Sequence, residues 1–258
     1  MITSLQNILV KNLVKLRKAR LRQKQELVVI DGLREIKVAF DYGFDFVEVI
    51  CCPELSVEEW PDSPIEPTLV SREVFLKIAY ADNPNGWLAT VRPRYRTLAD
   101  LEIKKDSLIL VLEAVEKPGN LGAMLRTAYA ANIDAVILNN LQTDLYNPNV
   151  IKASSGHVFS DQVVMASPDE TLKWLRENNI KIMATNITAA EKYTEVDWLK
   201  ASAIIMGTEA TGLSDFWLKN ADKNIIIPMK AGIDSLNVSV GAGIIAFEAR
   251  RQRDLRKK

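Results

Sequence analysis

Near the start of the chain, apolar residues recur at helical spacing. Leu5, Ile8, Leu9, Leu13 and Leu16 fall three or four positions apart, which predicts one amphipathic helix over residues 4–24. The apolar run Leu27–Ile30 predicts a strand, Asp31-Gly32 a turn, and Leu33, Ile36 and Phe40 the buried face of a helix. Another strand is expected from Phe46 to Ile50. The stretch Pro53–Pro67 holds four prolines and several acids, so it reads as a loop around a short helix. Leu69-Val70, a helix from Ser71, the turn Asn83-Pro84-Asn85-Gly86 and a strand at Trp87–Val91 complete a small α/β domain. Residues 92–106 are polar and basic and read as a linker. From Ser107 the pattern changes to strongly apolar strands separated by helical stretches: Leu108–Leu112, Ala135–Leu138, Lys181–Ala184, Ala203–Met206 and Ile225–Ile227. Such strands indicate a parallel sheet covered on both faces, with its site at the carboxyl edge. The fold class is α/β, in two domains.

Composition narrows the function classes. The chain of 258 residues carries 33 Lys and Arg against 33 Asp and Glu, so a net basic protein is excluded. Any nucleic-acid surface must come from local clustering. The first helix supplies one cluster: Lys11, Lys15, Arg17, Lys18, Arg20, Arg22 and Lys24 precede any acid. Lys15, Lys18 and Arg20 are its candidate phosphate contacts, with a plain solvated face as the alternative. A second cluster, Arg250, Arg251, Arg253, Arg256, Lys257 and Lys258, is equally open to both readings. Cys51 and Cys52 are adjacent, which rules out a disulfide framework and a metal cage and points to a reducing compartment. Neither a secretory leader nor a bilayer-spanning run is legible, so a cytoplasmic protein without membrane or metal is expected.

Three segments follow strands directly and carry the candidate chemistry. The first runs from Glu116 to Ala128: Pro118-Gly119 make a turn, Asn120 suits a helix cap, Gly122 permits close approach, and Arg126 lies one turn farther on the same helix face. It is neither a Walker loop nor a dinucleotide fingerprint. In the second, Gly207 and Gly212 frame Glu209 in a tight loop, which suggests a ligand pressed against the backbone. The third spans Ile227 to Gly243, where Ser235 and Asn237 stand short and polar at the entrance to a final helix. The single histidine, His157, lies in a connector and reads as structural, although histidine is the usual general base. Glu113, at the end of a strand, stays outside the candidate set.

Together these segments resemble the three motifs of the SpoU/TrmH family of RNA ribose 2′-O-methyltransferases. Asn120, Gly122 and Arg126 match the first motif, Gly207, Glu209, Gly212 and Leu213 the second, and Ser235–Ser239 the third. Asn147-Pro148 through Ser154-Ser155-Gly156 is also similar to the family's connector. Asn7–Ala39 is similar to its ribosomal-protein-like substrate-binding domain, while Asn83–Trp87 departs from the Pro-Gln-Gly of many relatives. The resemblance implies an RNA substrate-binding α/β domain over 1–98, a linker over 99–106 and a methyltransferase domain over 107–258 with a deep trefoil knot. It implies S-adenosylmethionine held by Thr185, Asn186, Gly207, Gly212, Ile227, Leu236 and Asn237, and a homodimer with its interface beside that pocket. Arg126 is implied as the central catalytic residue, either as an unusual base or as an orienting group. Asn120 and Glu209 are implied to position the ribose and Arg126, and Ser235 and Asn237 to fix Arg126 by hydrogen bonds. The expected activity is 2′-O-methylation of structured RNA, most simply ribosomal RNA. The alternatives are a transfer-RNA substrate or an RNA-binding assembly protein that has lost catalysis.

Overall fold

A computed structural model describes residues 1–208, 211–230 and 235–255. Two compact units divide the chain: Met1–Arg94 with Tyr146–Ser160, and Tyr95–Leu145 with the chain from Asp161 onward. The first unit opens with α1 (Ile8–Lys15), capped by the Asn7 side chain, and α2 (Ala19–Gln25). These replace the single helix expected over 4–24. The break is made by two arginines. Arg22 is 4% exposed and turns its guanidinium back onto the carbonyls of Leu16 and Arg17, both at 3.0 Å. Arg17 in turn donates to the carbonyls of Lys77 and Ala79 at 3.0 and 2.6 Å. Helix ends leave carbonyls without intrahelical partners, and these guanidinium groups satisfy several of them. Ile8, expected on the apolar face, is 87% exposed.

Four strands follow the helices: β1 (Val28–Asp31), then α3 (Leu33–Asp41), β2 (Phe46–Cys51), β3 (Thr68–Leu69), α4 (Arg72–Ile78) and β4 (Trp87–Val91). The sheet order is β1-β4-β2-β3, with β4 antiparallel to both neighbours and β2 parallel to β3. Leu13, Leu16, Ile50, Phe75 and Leu88 lie at the centre of its core. The loop after β2 contains no helix. Trp60 is instead driven into a ring cluster with Phe40, Phe46 and Trp87, and the Trp87 indole donates to Ser56 Oγ and the Glu58 carbonyl. Four prolines make a helix costly there, and the ring cluster fixes the loop without one.

The remaining elements run β5 (Leu108–Glu113), α5 (Pro118–Ala130), β6 (Ala135–Asn139), α6 (Pro148–Ala153), β7 (Val163–Met165), α7 (Pro168–Glu177), β8 (Lys181–Thr185), β9 (Glu191–Lys192), β10 (Ser202–Met206), α8 (Asp215–Asn220), β11 (Lys223–Ile226) and α9 (Val238–Leu255). Seven strands form one sheet in the order β7-β6-β5-β10-β8-β11-β9, every neighbouring pair parallel. Every residue of β5, β6 and β10 is buried, as expected for strands with helices on both faces. Short β7 and β9 lie at the two edges and had no counterpart in the apolar pattern.

Helix α6 belongs to the first unit although its neighbours in sequence belong to the second. A buried carboxylate explains this placement. Glu35 on α3 is 1% exposed, accepts from Arg34 and pairs with Lys152 of α6 at 3.7 Å. Gly156 presses on the same helix: a Cβ there would come within 3.0 Å of Val38 Cβ and 3.2 Å of Glu35 Cα, at a φ of +86°.

Candidate active site

The loop after β10 is the tightest part of the site. Thr208 and Gly212 exchange two backbone hydrogen bonds at 3.0 and 3.1 Å, and the Thr208 hydroxyl accepts from Thr211 N at 3.0 Å. At Gly207 a Cβ would fall 2.2 Å from the Gly212 carbonyl carbon and oxygen, so only glycine fits. Gly212 turns with φ +70°, in the left-handed region that glycine favours. Just beyond, Glu113 at the end of β5 is 6% exposed and accepts from Ser214 N at 2.9 Å and Ser214 Oγ at 2.7 Å. This buried carboxylate ties the exit of the loop, at the start of α8, to β5, the strand beside β10. Its signal in the sequence was an acid ending an apolar strand. Glu209, expected to position the ribose, lies outside the described residues.

Beside this loop opens a cleft of about 420 Å³ at the carboxyl edge of the sheet. Its lining includes Thr185, Asn186, Gly207, Gly212, Ile227, Leu236 and Asn237, the seven residues expected around a cofactor, together with Ser235. Thr208, Leu213 and Val238, from within the motif segments, and Met206, Ile225 and Ile245, from outside the motif matches, complete much of the wall. The floor is held by its own hydrogen bonds: Thr185 Oγ1 donates to the Ile205 carbonyl at 2.9 Å, and Asn186 N to the Ile225 carbonyl at 2.9 Å. A smaller cavity of about 90 Å³, lined by Val115, Lys117 and Asn120, shares Gly207, Thr208 and Val238 with the cleft.

Asn237 is the junction of the site. Its Oδ1 accepts from Ser239 N at 2.9 Å and Ser239 Oγ at 2.6 Å, capping α9, and its Nδ2 donates to Asn120 Oδ1 at 3.2 Å. The first and third motifs therefore meet through an amide pair 117 residues apart in sequence. The bonds expected from Ser235 and Asn237 to Arg126 are not formed. Asn237 is committed to the cap and to Asn120, and Ser235 makes no side-chain hydrogen bond among the described residues. Arg126 is exposed on α5 and makes no side-chain hydrogen bond or ion pair among them. Beyond it, α5 and α9 pack closely, so that a Cβ on Gly243 would rest 3.7 Å from Thr127 Cγ2.

The basic clusters divide differently from their sequence pattern. Lys15, Lys18 and Arg20 are exposed in the first unit, with Lys11 and Lys24, whereas Arg22 is buried and Arg17, though exposed, is tied to backbone carbonyls. Of the C-terminal cations, Arg250 pairs with Asp254, Arg251 with Glu248, and Arg253 donates to the carbonyls of Trp198, Lys200 and Asp106. Arg256, Lys257 and Lys258 lie outside the described residues. His157 sits in the Tyr146–Ser160 segment and lines no part of the cleft. Cys51 and Cys52 are buried free thiols, and burial pushes the Cys51 thiol upward, with Cys52 adding to the effect. Among the described residues no group of three or more His, Cys, Asp or Glu is placed to hold a metal ion. No helix among them is long and apolar enough to cross a membrane.

Known proteins share this architecture over its whole length. A crystal structure of an RNA 2′-O ribose methyltransferase is 38% identical, with TM-score 0.85 and 98% of each chain covered. The S-adenosylmethionine-bound rRNA methyltransferase from Sinorhizobium meliloti is 28% identical, with TM-score 0.86 and 97% of each chain covered. The 23S rRNA (guanosine(2553)-2′-O)-methyltransferase RlmP of Bacillus subtilis is 27% identical over 96% of this chain and 98% of its own. Residues 7–89 match the MRM3-like substrate binding domain. Residues 107–247 match the SpoU rRNA methylase model, and the chain belongs to the SpoU rRNA methylase family.

Proposed function

We propose that this protein transfers a methyl group from S-adenosylmethionine to a ribose 2′-hydroxyl of structured RNA, with ribosomal RNA as the substrate class. The observation that carries this reading is the Asn120–Asn237 pair, which sets the first-motif helix at the rim of the cleft. The cleft fits such a cofactor. Its volume falls within the range of small-molecule sites, about 300–1,000 Å³. Ile187, Leu213, Ile225 and Ile227 offer an apolar wall for an adenine ring, and Thr185, Asn186 and Ser235 offer short polar groups for the amino-acid portion. When bound there, S-adenosylmethionine supplies an electrophilic methyl on a sulfonium.

The chain's own residues must then align the acceptor hydroxyl and help remove its proton. In this reading Asn120, held by Asn237, positions the ribose, and Glu209 contributes by its place in the second motif. Guanidinium groups stay protonated in proteins. Arg126 therefore orients the hydroxyl and stabilises the charge that develops on its oxygen. An RNA phosphate held by Arg126 takes the proton.

The exposed cations Lys15, Lys18 and Arg20 support RNA binding by residues 1–98, with 99–106 as connection and 107–258 as the methyltransferase part. Family membership supports a trefoil knot in that part. Tyr129 on α5 and Val240 and Phe247 on α9 are 44%, 51% and 50% exposed. This apolar surface beside Arg126 and Asn237 supports a homodimer whose interface borders the site. The reading places the protein in the cytoplasm, where its RNA is made and assembled.

Transfer of labelled methyl to total RNA from cells lacking the protein tests the activity. Label should appear in 2′-O-methylated nucleosides after digestion. Arg126→Ala should keep cofactor affinity within about twofold while methyl transfer falls at least about a hundredfold, the scale of losing one charge-stabilising donor. Undiminished turnover would remove Arg126 from the mechanism, and cofactor binding without any RNA acceptor would favour an assembly role.

A further inference from the structure

The first unit contains a second polar pocket, far in sequence from the three motifs. Arg17, Leu76, Ala79, Tyr80, Ala81 and Asp82 line it, where α4 ends. It is built from the break between α1 and α2. The Arg17 guanidinium is tied to the carbonyls of Lys77 and Ala79 and lies over the Tyr80 ring, 5.6 Å from its centroid. Tyr80 and Ala81 are pinned in turn, because their backbone N–H groups donate to Asp31 Oδ2 at 2.7 and 2.8 Å. Buried Arg22 lies near the Tyr80 hydroxyl. The platform is thus held by backbone carbonyls and by Asp31 before any ligand arrives.

Its rim is different in character. Leu76 is 45% exposed, and Arg17 and Asp82 are exposed. Asp82 makes no hydrogen bond or ion pair among the described residues. The neighbouring turns carry the exposed cations Lys15, Lys18 and Arg20. A cationic track that leads to a planar guanidinium and an aromatic ring is the combination that holds unpaired RNA: charge follows the backbone while planar groups stack a base.

We propose that this pocket receives one unpaired guanine of the RNA substrate, stacked on the Arg17–Tyr80 platform, with Asp82 accepting from its Watson–Crick edge. Guanine presents two adjacent donors there, N1–H and the N2 amino group, which suit the two oxygens of a carboxylate. The other bases present fewer adjacent donors on that edge. This inference rests on the reading of the first unit as an RNA-binding domain and names a base-reading site within it.

The test uses the full chain and fluorescein-labelled RNA heptamers UUUXUUU, with X as guanine, adenine, cytosine or uracil, titrated by anisotropy at two salt concentrations. The guanine heptamer should bind about tenfold more tightly than the uracil heptamer, as expected for hydrogen bonds to one charged acceptor. Asp82→Asn should bring those two within about twofold and leave the uracil heptamer's affinity unchanged. Arg17→Lys should weaken every heptamer and keep the salt slope, because it retains charge and loses the stacking plane. Equal binding of the four heptamers by the unaltered protein would overturn the proposal, as would a preference for another base. So would a guanine preference that survives Asp82→Asn. Methyl transfer is not read in this assay, so failure here leaves the methyltransferase reading standing, and failure of methyl transfer leaves the base preference to be measured on its own.

Discussion

Replacing Gly207 with alanine tests whether the loop after β10 shapes the cleft. The new Cβ would lie 2.2 Å from the carbonyl carbon and oxygen of Gly212 and 2.4 Å from Leu213 N, where ordinary contact begins near 3.4 Å. All three neighbours are backbone atoms, so no side chain can swing aside, and residues 212–213 must retreat by about 1 Å. That movement separates the paired bonds between Thr208 and Gly212. Two lost backbone hydrogen bonds at about 1 kcal/mol each, with an overpacking term of about 1–3 kcal/mol, place the cost near 3–5 kcal/mol. For a domain of this size the melting temperature should fall by about 10 °C. Gly207, Thr208, Thr211 and Gly212 all line the cleft, so S-adenosylmethionine affinity should fall at least about tenfold. Isothermal titration and thermal denaturation read the two effects. Gly119→Ala is the control, because its Cβ meets nothing within 4 Å. If Gly207→Ala binds cofactor within twofold of the unaltered protein and melts at the same temperature, the loop does not define the site.

Glu113→Ala should leave the Ser214 N–H and hydroxyl without their buried acceptor and cost about 2–4 kcal/mol, visible as a lower midpoint in urea with an unchanged slope. Neutralising Lys15, Lys18 and Arg20 together should reduce the log–log salt slope of RNA binding by about 2–3 while leaving cofactor affinity alone; an unchanged slope would return these cations to an ordinary solvated face. Asp222 gives a pH signature. Burial raises its carboxyl, but the Ile182 N–H, the Arg176 guanidinium and the Lys181 ammonium outweigh burial and hold it below the ordinary aspartate value. A depressed carboxyl stabilises the fold above the unfolded pKa and loses that contribution as pH falls through the folded value. The stability gap between the unaltered protein and Asp222→Asn should therefore be constant from about pH 5 to 8 and close below about pH 4, and a gap independent of pH would count against this pairing.

Much of the fold was legible along the chain wherever local pattern and tertiary demand agree. Strands β5, β6 and β10 are buried throughout and apolar except at one end residue each (Glu113, Asn139 and Ser202), because helices cover both faces of the sheet. Ser71 marks a helix start because its short polar side chain serves a first-turn backbone N–H, whereas Asn120, expected to suit a cap, lies inside α5, which starts at Pro118 behind Lys117. The short edge strands β7 and β9 were not legible, since two or three residues carry no period and their pairing is supplied by the neighbouring strand. Likewise the α1–α2 break depends on Arg17 reaching carbonyls about 60 residues away, which helical spacing cannot report.

Reading along the chain singled out the candidate residues Asn120, Arg126, Gly207, Gly212, Ser235 and Asn237, because they stand in ordered segments after apolar strands. It also determined that any RNA surface had to be local, since the charges cancel. How those residues are shared out depends on contacts between distant parts of the chain. The tertiary structure committed Asn237 to Asn120 and the α9 cap, used Glu113 to hold Ser214, and left Arg126 exposed. It took Arg17 from a basic stripe into a pocket and buried Arg22 against helix-end carbonyls, and it drew Tyr146–Ser160 into the first unit around buried Glu35. The physical reason is common to these cases. Residue type sets which bonds a group can make, but a buried polar group must find its partner wherever the fold brings one within reach.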